Sequence, residues 1–355
     1  MTSSANSRWK NRPEGSTWGD YGPDDQLGRV NLLTPQKVKE GAAEVREGIA
    51  FCLCLPLDYP GLNVVNPRRH PPVLRPTVRN GRIGYVYRSE QDNPELVDVI
   101  NDDAAVLHLQ YSSQWDGLSH VGQLFDADGD GELEPVFYNG YRGNVDFVTP
   151  TELGDAGSFG SFTANSTCYA GKLGVENMAE KGMQGRGVMI DLHAHYGRER
   201  KLVGYDDLMR VLEQDRVLVE PGDMVCVHTG FAQMLLEMNK QPDKPKLDAS
   251  CPVLDGRDDR LLKWITDTKL VSLIADNYAV EAQPSRPPAT PGRYPMLPLH
   301  AHCLFKIGVN LGEMWQLTPL AEWLRAHGRY RFLLTAPPLR LPGAVGSPPA
   351  AVATV

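Results

Sequence analysis

Apolar positions along the chain fall into short runs and into helical spacings, and both predict regular structure. Short runs bounded by turn residues predict strands at 105–109, 187–192, 224–229, 270–275 and 331–335. Helical spacing predicts helices at 205–213, 258–266 and 318–327. Thr34 with Pro35, a capping residue followed by proline, predicts a further helix to about Arg46, and Thr318 with Pro319 repeats this signal. Strands interleaved with helices favour an α/β fold with a partly buried sheet.

Size and composition exclude several classes of protein. The 355 residues are 41% apolar, which is enough to bury a sizeable core. No apolar run approaches the roughly 18 residues needed to span a membrane, and the N-terminal stretch lacks the apolar segment of a secretory signal. The net charge of −8, without a Lys/Arg run, argues against binding to nucleic acid or to an anionic membrane surface.

Cysteine usage and the two ends of the chain bear on location and assembly. Six cysteines, none in a C-x-x-C pair, favour a reducing cytoplasm and argue against zinc-ribbon or thioredoxin-like motifs. No domain boundary is evident, so a single domain over residues 1–355 is expected. The first 30 residues and the C-terminal stretch PGAVGSPPAAVATV are interpreted as extended arms. Such arms often pack on a neighbouring subunit, which indicates an oligomer.

Four side chains that can bind a cation or a proton fall within eleven residues: Gln110, Gln114, Asp116 and His120. Their even offsets place them on one side of any extended stretch, and small residues between them leave room for a ligand. A carboxylate with two amide oxygens suits hard cations. His120 could complete the site or act as a general base. A polar strand end followed by a turn would give the same pattern.

Two histidine-containing segments add candidates. His300 and His302 lie beside an apolar stretch that ends in Glu313, and together they could supply a base and a second carboxylate to a shared pocket. A histidine in such a stretch is more often a core or surface residue. His193 and His195 follow the run at 187–192 and could chelate a metal at a strand end, or could form a polar exit from the strand.

Two acidic segments are weaker candidates. The run from Asp126 to Gly131 resembles the first half of a calcium loop, but Phe137 stands where an EF-hand needs glutamate, so a solvated turn is favoured. The segment from Asp276 to Pro284 follows the run at 270–275 and is interpreted as a pocket wall or a subunit contact.

These segments, taken in order, resemble the cyclase family that includes bacterial kynurenine formamidase and isatin hydrolase. The family signature is H-x-G-T-H-x-D-x-P-x-H, and the matching stretch from Gln110 to His120 reads QYSSQWDGLSH. It is similar to a branch with Q-W-D-x-L-x-H followed by Y-N-G, here Tyr138 to Gly140. GRGVMIDL, PGDMVCVHTGF, ADNYAVEAQP and LHAHCLFKIGVNLGE follow in the family's order, so the resemblance extends over about residues 18–341.

The resemblance implies a swivelling β/β/α fold, with a mixed sheet and flanking helices, usually as a homodimer or homotetramer. It implies a divalent metal at the positions that match Gln110, Gln114 and Asp116. His120 matches a catalytic base or a ligand of a second metal. The metal and catalytic set is completed by His300 and Glu313, with His302 as an alternative to His300.

The two glutamines depart from the family signature. They replace the imidazoles that zinc prefers, and amide oxygens suit Mn²⁺, Mg²⁺ or Ca²⁺ better. Three outcomes stay open. The site binds a harder metal, or the metal shifts toward His120, His300 and Glu313, or Asp116 and His120 act without metal. Mn²⁺ or Zn²⁺ is the first expectation, and Mg²⁺ or Ca²⁺ the second.

The leading hypothesis for function is hydrolysis of an amide, lactam or lactone bond in a small cyclic or aromatic substrate. A metal would activate water, and His120 would move the proton. Trp115, Tyr138 and Asn139 are expected to contact the substrate. One alternative is a lyase or dehydratase that uses the same Asp/His site. Another is a non-catalytic small-molecule binding protein derived from the family.

Overall fold

One large mixed sheet organises the protein. The computed structural model describes residues 8–157 and 165–355. Within these ranges, nine strands form this sheet, labelled β1 to β9 in chain order: Ala50–Cys52, Gln114–Asp116, Gln184–Asp191, Met224–His228, Ser272–Ala275, Asn310–Glu313, Arg331–Thr335, Gly346–Ser347 and Val352–Thr354. Across the sheet the strands run in the order β1-β9-β7-β3-β4-β5-β6-β2-β8.

The centre of the sheet is parallel and its two sides are antiparallel. Strands β3, β4, β5 and β6 pair in parallel, whereas β7, β9 and β1 continue one side and β2 and β8 the other with antiparallel pairing. The register of β2 against β6 sets Gln114 opposite Glu313 and Asp116 opposite Leu311. This register places polar residues of two distant segments side by side.

Helices and short ladders surround the sheet. The α-helices, α1 to α9, are Pro35–Ala42, Glu176–Lys181, Leu192–Tyr196, Tyr205–Gln214, Phe231–Glu237, Lys244–Asp248, Asp259–Thr268, Pro298–His300 and Thr318–Ala326, and a π-helical turn, Ala301–Lys306, continues α8. Single 3-10 turns occur at Gly28–Leu32, Ser89–Gln91, Tyr138–Gly140 and Leu153–Asp155. Two-stranded ladders pair Val73–Pro76 with Asp103–Val106, Val78–Arg79 with Arg82–Ile83, Tyr87–Arg88 with Val99–Ile100, Gln123–Phe125 with Glu134–Val136, Phe147–Val148 with Tyr169–Ala170, and Leu202–Val203 with Val253–Leu254.

Both faces of the sheet are buried at its centre. Val225 and Val227 of β4 pack into one apolar cluster, which α4 and α7 also enter. Met224 and Cys226 of the same strand pack into a second cluster, which includes residues of α9. Successive side chains of a strand point to opposite faces. Burial on both sides therefore explains why the central strands appear in the sequence as continuous apolar runs.

Most predicted elements are present, with shifted ends. Thr34 caps α1 by accepting a hydrogen bond from the backbone N–H of Lys37 at 3.3 Å. The helix ends at Ala42 rather than near Arg46, because the following residues turn so that Gly48 donates to the carbonyl of Val355. The predicted helices at 205–213, 258–266 and 318–327 correspond to α4, α7 and α9. The run at 105–109 was expected as a strand, but only Asp103–Val106 is one, in a ladder outside the main sheet.

The interpretation of the C-terminal stretch as an extended arm is wrong. Gly346–Ser347 forms β8 beside β2, and Val352–Thr354 forms β9 between β7 and β1. Ala351, Ala353 and Val355 are almost fully buried. Pairing with strands far away in sequence overrides the turn-rich composition of this segment.

The N-terminal segment packs on the core from residue 8 onward, and residues 1–7 of the predicted arm lie outside the described ranges. Trp18 is fully buried and its indole N–H donates to the carbonyl of Phe305 at 2.7 Å. In the described part of the chain, no helix is long and apolar enough to cross a lipid bilayer.

Candidate metal centre

Three buried side chains converge where β2, β6 and α8 meet. Asp116 ends β2, Glu313 ends β6 and His300 ends α8, and each is at most 3% exposed. His300 Nε2 lies 3.2 Å from Glu313 Oε1 and 3.8 Å from Asp116 Oδ2. One ligand atom from each residue lies within 4.8 Å of the other two. This arrangement could hold a metal ion.

The charge of this centre fits a bound cation. Asp116 Oδ2 is buried and has no hydrogen-bond partner among the described residues, and an unpaired buried carboxylate oxygen is costly. Burial alone raises the pKa of Asp116, but His120 and His300 outweigh it and hold the pKa below its usual range. With Glu281 and Glu313, three carboxylates therefore surround a single imidazole, His300. A divalent cation would balance this excess of negative charge.

His300 is oriented by Glu281. Its Nδ1 lies 2.8 Å from Glu281 Oε1, and the same carboxylate accepts the backbone N–H groups of Leu299 and His300 at 3.0 Å. Burial lowers the pKa of His300, whereas its contacts with Asp116, Glu281 and Glu313 raise the pKa well above the usual value. A carboxylate behind an imidazole that faces a metal is a common supporting arrangement. The Nε2 of His300 is thus directed at the centre.

Gln110 and Gln114 donate hydrogen bonds to the carboxylates. Gln110 Nε2 lies 3.1 Å from Asp116 Oδ1 and 2.8 Å from His120 Nδ1. Gln114 Nε2 lies 3.2 Å from Asp116 Oδ1 and 3.1 Å from Glu313 Oε2. Arg69 Nη1 lies 2.7 Å from the backbone carbonyl of Gln110 and 3.4 Å from Gln114 Oε1. In this orientation of the two amides, their N–H groups face the carboxylates. Metal ligation by Gln110 and Gln114 stays a prediction.

His120 lies at the edge of the centre. Its Nε2 is 3.8 Å from Asp116 Oδ1, and its side chain is 22% exposed, compared with 1% for the side chain of Asp116. His120 is therefore more accessible to solvent than Asp116. The structure brings together Gln110, Gln114, Asp116, His120, His300 and Glu313, all predicted from the sequence.

The three residues expected to contact substrate are not brought to this centre. Trp115 points to the opposite face of the sheet, is fully buried, and donates from Nε1 to the carbonyl of Ala336 at 2.8 Å. Tyr138 is fully buried in the core cluster that also contains Trp18. Asn139 has left-handed backbone angles, and its side chain donates to the carbonyls of residues 22, 23 and 25. All three side chains are therefore used in contacts within the protein, away from the candidate metal centre.

The other candidates also lie elsewhere. His302 Nε2 is 2.8 Å from Thr266 Oγ1, and burial lowers the pKa of His302 to about 4, so His300 rather than His302 belongs to the centre. His195 pairs with Asp215 on the surface and does not meet His193 at a shared ligand position. The carboxylates of the Asp126 turn, with Asp128 and Asp130, accept hydrogen bonds from backbone N–H groups of the same turn.

Sequence reasoning missed the roles of Glu281 and Arg69. The sequence predicts Glu281 in a pocket wall or subunit contact. Its position after a buried strand was the available signal, because α/β proteins place reactive groups at the ends of such strands. Arg69 lies in a loop with no motif, and its contact with Gln110 spans 41 positions of sequence. No local pattern could have indicated it.

The fold and the buried centre define an α/β protein with a candidate metal site. The family model described as "Putative cyclase" matches residues 72–282, more than half of the chain, so the chain belongs to the cyclase family. This confirms the resemblance seen in the sequence. His300 and Glu313 lie beyond the matched segment. None of the curated proteins matches the sequence.

Solved structures share the fold. A crystal structure of a novel cyclase is 29% identical, with a TM-score of 0.70, and the match covers 96% of this chain and 99% of that one. Isatin hydrolase A from Labrenzia aggregata, bound to benzyl benzoate, is 11% identical with a TM-score of 0.53, and the match covers 90% of this chain and 97% of that one. Isatin hydrolase A from Ralstonia solanacearum is 15% identical, with a TM-score of 0.51 and the same coverage. The predicted mixed α/β fold of the cyclase type is confirmed.

Substitution of Glu281 by glutamine is expected to weaken metal binding about 10- to 100-fold, the usual effect of losing a group that supports a metal ligand. An amide cannot accept both the imidazole N–H and the two backbone N–H groups that the carboxylate now accepts. Competition with a fluorescent chelator measures the affinity. Glu237→Gln, at an exposed pair with Arg198, is the control and should bind metal like the parent protein. Equal affinity in E281Q and the parent would contradict this role.

Proposed function

We propose that the protein is a metal-dependent hydrolase of an amide, lactam or lactone bond in a small cyclic or aromatic substrate. The observation that carries the proposal is the buried set Asp116, His300 and Glu313, in which Asp116 Oδ2 has no hydrogen-bond partner among the described residues. Membership of the cyclase family supports it. The fold shared with proteins named isatin hydrolase is consistent with it.

The donor set indicates the kind of metal. Two carboxylates and one imidazole suit Mn²⁺ or Zn²⁺ best, with Mg²⁺ or Ca²⁺ as further candidates. When bound, such an ion supplies Lewis acidity, which polarises a carbonyl and lowers the pKa of water. Asp116, His300 and Glu313 would hold it, and Glu281 would keep the imidazole of His300 in position.

His120 would accept and release the proton, and Gln110 contacts the nitrogen of His120 that accepts it. The Gln110 amide now donates to Nδ1 of His120 at 2.8 Å, so that the neutral ring accepts at this atom. Release of this contact would free Nδ1 to take the proton of the attacking water, while Nε2 keeps its own proton on the side of Asp116. The protonated ring then returns the proton to the leaving group.

A panel of N-formyl amides, lactams and lactones tests the reaction, with protein purified without chelators and its metal content measured. We expect about one metal ion per chain, and incorporation of label into the acyl product in ¹⁸O-water. Turnover without label in the product would favour a lyase or dehydratase. A chain without metal and without turnover would favour a binding protein.

Alanine at His120 separates proton transfer from metal binding. We expect H120A to keep its metal and to lose about 100- to 10,000-fold in kcat, the usual contribution of a general base. His195→Ala removes a surface histidine paired with Asp215 and serves as the control. Full activity of H120A would refute the assignment of the base.

Assembly and location are part of the proposal. We propose a single-domain protein that works as a cytoplasmic homodimer or homotetramer on a small molecule, without nucleic-acid or membrane partners. The ladders between residues 73 and 106 expose Leu74, Val78 and Val97 by 69%, 79% and 91%. Exposed apolar side chains in one segment are typical of protein interfaces, which supports an oligomer. The net charge of −8 supports the absence of polyanionic partners.

A further inference from the structure

A cavity of about 520 Å³ lies beside the candidate metal centre, and Glu281, which orients His300, forms part of its wall. A second cavity of about 10 Å³ is lined by Arg69 and Gln110. The two cavities share Val65, Asn66 and Tyr278 as lining residues. The large cavity is within the size range of small-molecule sites, and the small cavity is lined by Gln110, whose amide contacts Asp116.

Apolar and aromatic side chains form about half of the lining of the large cavity, and charged or polar side chains form the rest. Phe231 and Leu247 are buried, and Tyr278 is half-buried with its hydroxyl accepting from Asn66 Nδ2 at 3.0 Å. Val253 and Met296 complete the apolar lining. Such walls favour a flat, apolar ligand body.

Two arginines of this cavity, the half-buried Arg200 and the exposed Arg68, form no ion pair with any described residue. Arg200 is half-buried, and its recorded hydrogen bond is a 3.4 Å contact from Nη1 to the carbonyl of Ser250. Arg68 donates from Nε to Asn66 Oδ1 at 3.4 Å. Among the described residues, neither guanidinium has a carboxylate oxygen within 4.0 Å. Burial lowers the pKa of Arg200, and Asp248 offsets this in part.

The other charges of the cavity are already paired. Lys244 binds Asp248 at 2.7 Å, and the carboxylate of Glu281 is used by His300 and by backbone N–H groups. The positive charge that remains is that of Arg68 and Arg200. The half-buried guanidinium of Arg200, beside apolar side chains and without a carboxylate partner among the described residues, is matched to a ligand anion.

We propose that Arg200, assisted by Arg68, binds the carboxylate of a small aromatic acid, whose apolar ring lies against Phe231 and Tyr278. The bond to be cleaved would then point toward Gln110 and Asp116. This last step rests on the proposed hydrolase function, whereas binding of the acid does not. The inference narrows the substrate class to aromatic acids that carry an amide, lactam or lactone group.

Binding of benzoate and of benzamide, which differ mainly in charge, tests the inference. Calorimetric or NMR titration of the full chain should show benzoate binding about 10-fold or more tightly than benzamide, as expected for a charge-assisted hydrogen bond. Arg200→Gln should remove this preference. Arg198→Gln changes a neighbouring arginine that pairs with Glu237 outside the cavity, and should leave binding unchanged. Unchanged melting curves of both variants exclude a folding defect.

The outcomes separate this inference from the hydrolase proposal. Equal binding of benzoate and benzamide overturns the inference. Benzoate binding that is unchanged in R200Q also overturns it, and this is the result expected if benzoate is held only by a metal. Benzoate binding that depends on Arg200 in a chain without hydrolase activity upholds the inference and overturns the proposed function. Hydrolysis with the same kcat/KM for charged and neutral substrates overturns the inference alone.

Discussion

Substitution of Asp116 by asparagine is expected to abolish metal binding and turnover while the fold is kept. Asp116 contributes the buried, unpartnered Oδ2 that lies 3.8 Å from His300 Nε2. Asparagine has nearly the same shape but no charge, so the centre loses one of its two carboxylate ligands. Loss of a supporting group already weakens metal binding about 10- to 100-fold, and loss of a ligand should exceed this. Metal content after gel filtration, and turnover under metal excess, measure the effect.

The control for this substitution is Asp130→Asn. Asp130 belongs to the other carboxylate cluster found among the described residues, the one at the Asp126 turn. Asp130 is exposed, and its Oδ1 accepts the backbone N–H of Glu132. D130N should keep metal and activity. The pKa of Asp116 lies below its usual range, so the charged carboxylate stabilises the folded state at neutral pH. Metal-free D116N should therefore melt at a lower temperature than the metal-free parent protein, but still fold. Metal retention in D116N together with loss in D130N would place the centre at the Asp126 turn instead.

Substitution of Ala353 by aspartate is expected to destabilise the whole protein severely, whereas the neighbouring Val352→Asp should be tolerated. Ala353 is fully buried and pairs with Phe51 on one side and Leu334 on the other. An isolated buried carboxylate costs several kcal/mol, a large part of the roughly 5–15 kcal/mol that stabilises a typical protein. Val352 is 39% exposed on the opposite face of β9. We expect V352D to change the free energy of unfolding by about 1 kcal/mol or less.

Urea unfolding of the two variants, followed by circular dichroism, measures this difference. If the C-terminal segment were a loose arm, both substitutions would have the same small effect. Equal stability of A353D and V352D would therefore contradict the pairing of β9 with β1 and β7. A large loss in A353D alone would show that the C-terminal strand is an integral part of the sheet.

The sequence predicted the central part of the sheet and missed its sides. Strands β3, β4 and β5 bury both faces, and β7 buries one face and half-buries the other, so each appears as a largely apolar run that a short window can detect. The sequences of β2 and β6, QWD and NLGE, are short and polar. They are strands because they pair with each other and with neighbouring strands. The C-terminal strands consist of small residues and depend on the same distant pairing.

The candidate site was predictable in the part that is local. Gln110, Gln114, Asp116 and His120 lie close together in the chain, and their chemistry is visible within one segment. The same segment does not reveal which of its side-chain atoms face a metal. The orientation of an amide, with nitrogen rather than oxygen toward Asp116, depends on distant partners such as Arg69 and Glu313.

The support of His300 by Glu281 was beyond the reach of sequence patterns for a different reason. These residues are 19 positions apart, and their contact depends on how the segment after β5 folds back on α8. The resemblance to a family predicted His300 and Glu313 as site residues, because a family motif consists of the residues that its members share. It gave no indication of the carboxylate that holds the histidine.

The position of β2 in the sheet sets the order of events during protein synthesis. Its neighbours β6 and β8 both come from far later in the chain, and 199 positions separate Gln114 from Glu313. A nascent chain on the ribosome therefore displays Asp116 on a strand with unpaired edges, which is a risk for aggregation. The proposed metal centre lacks Glu313 until translation has passed β6, so metal loading would follow the folding of nearly the entire polypeptide.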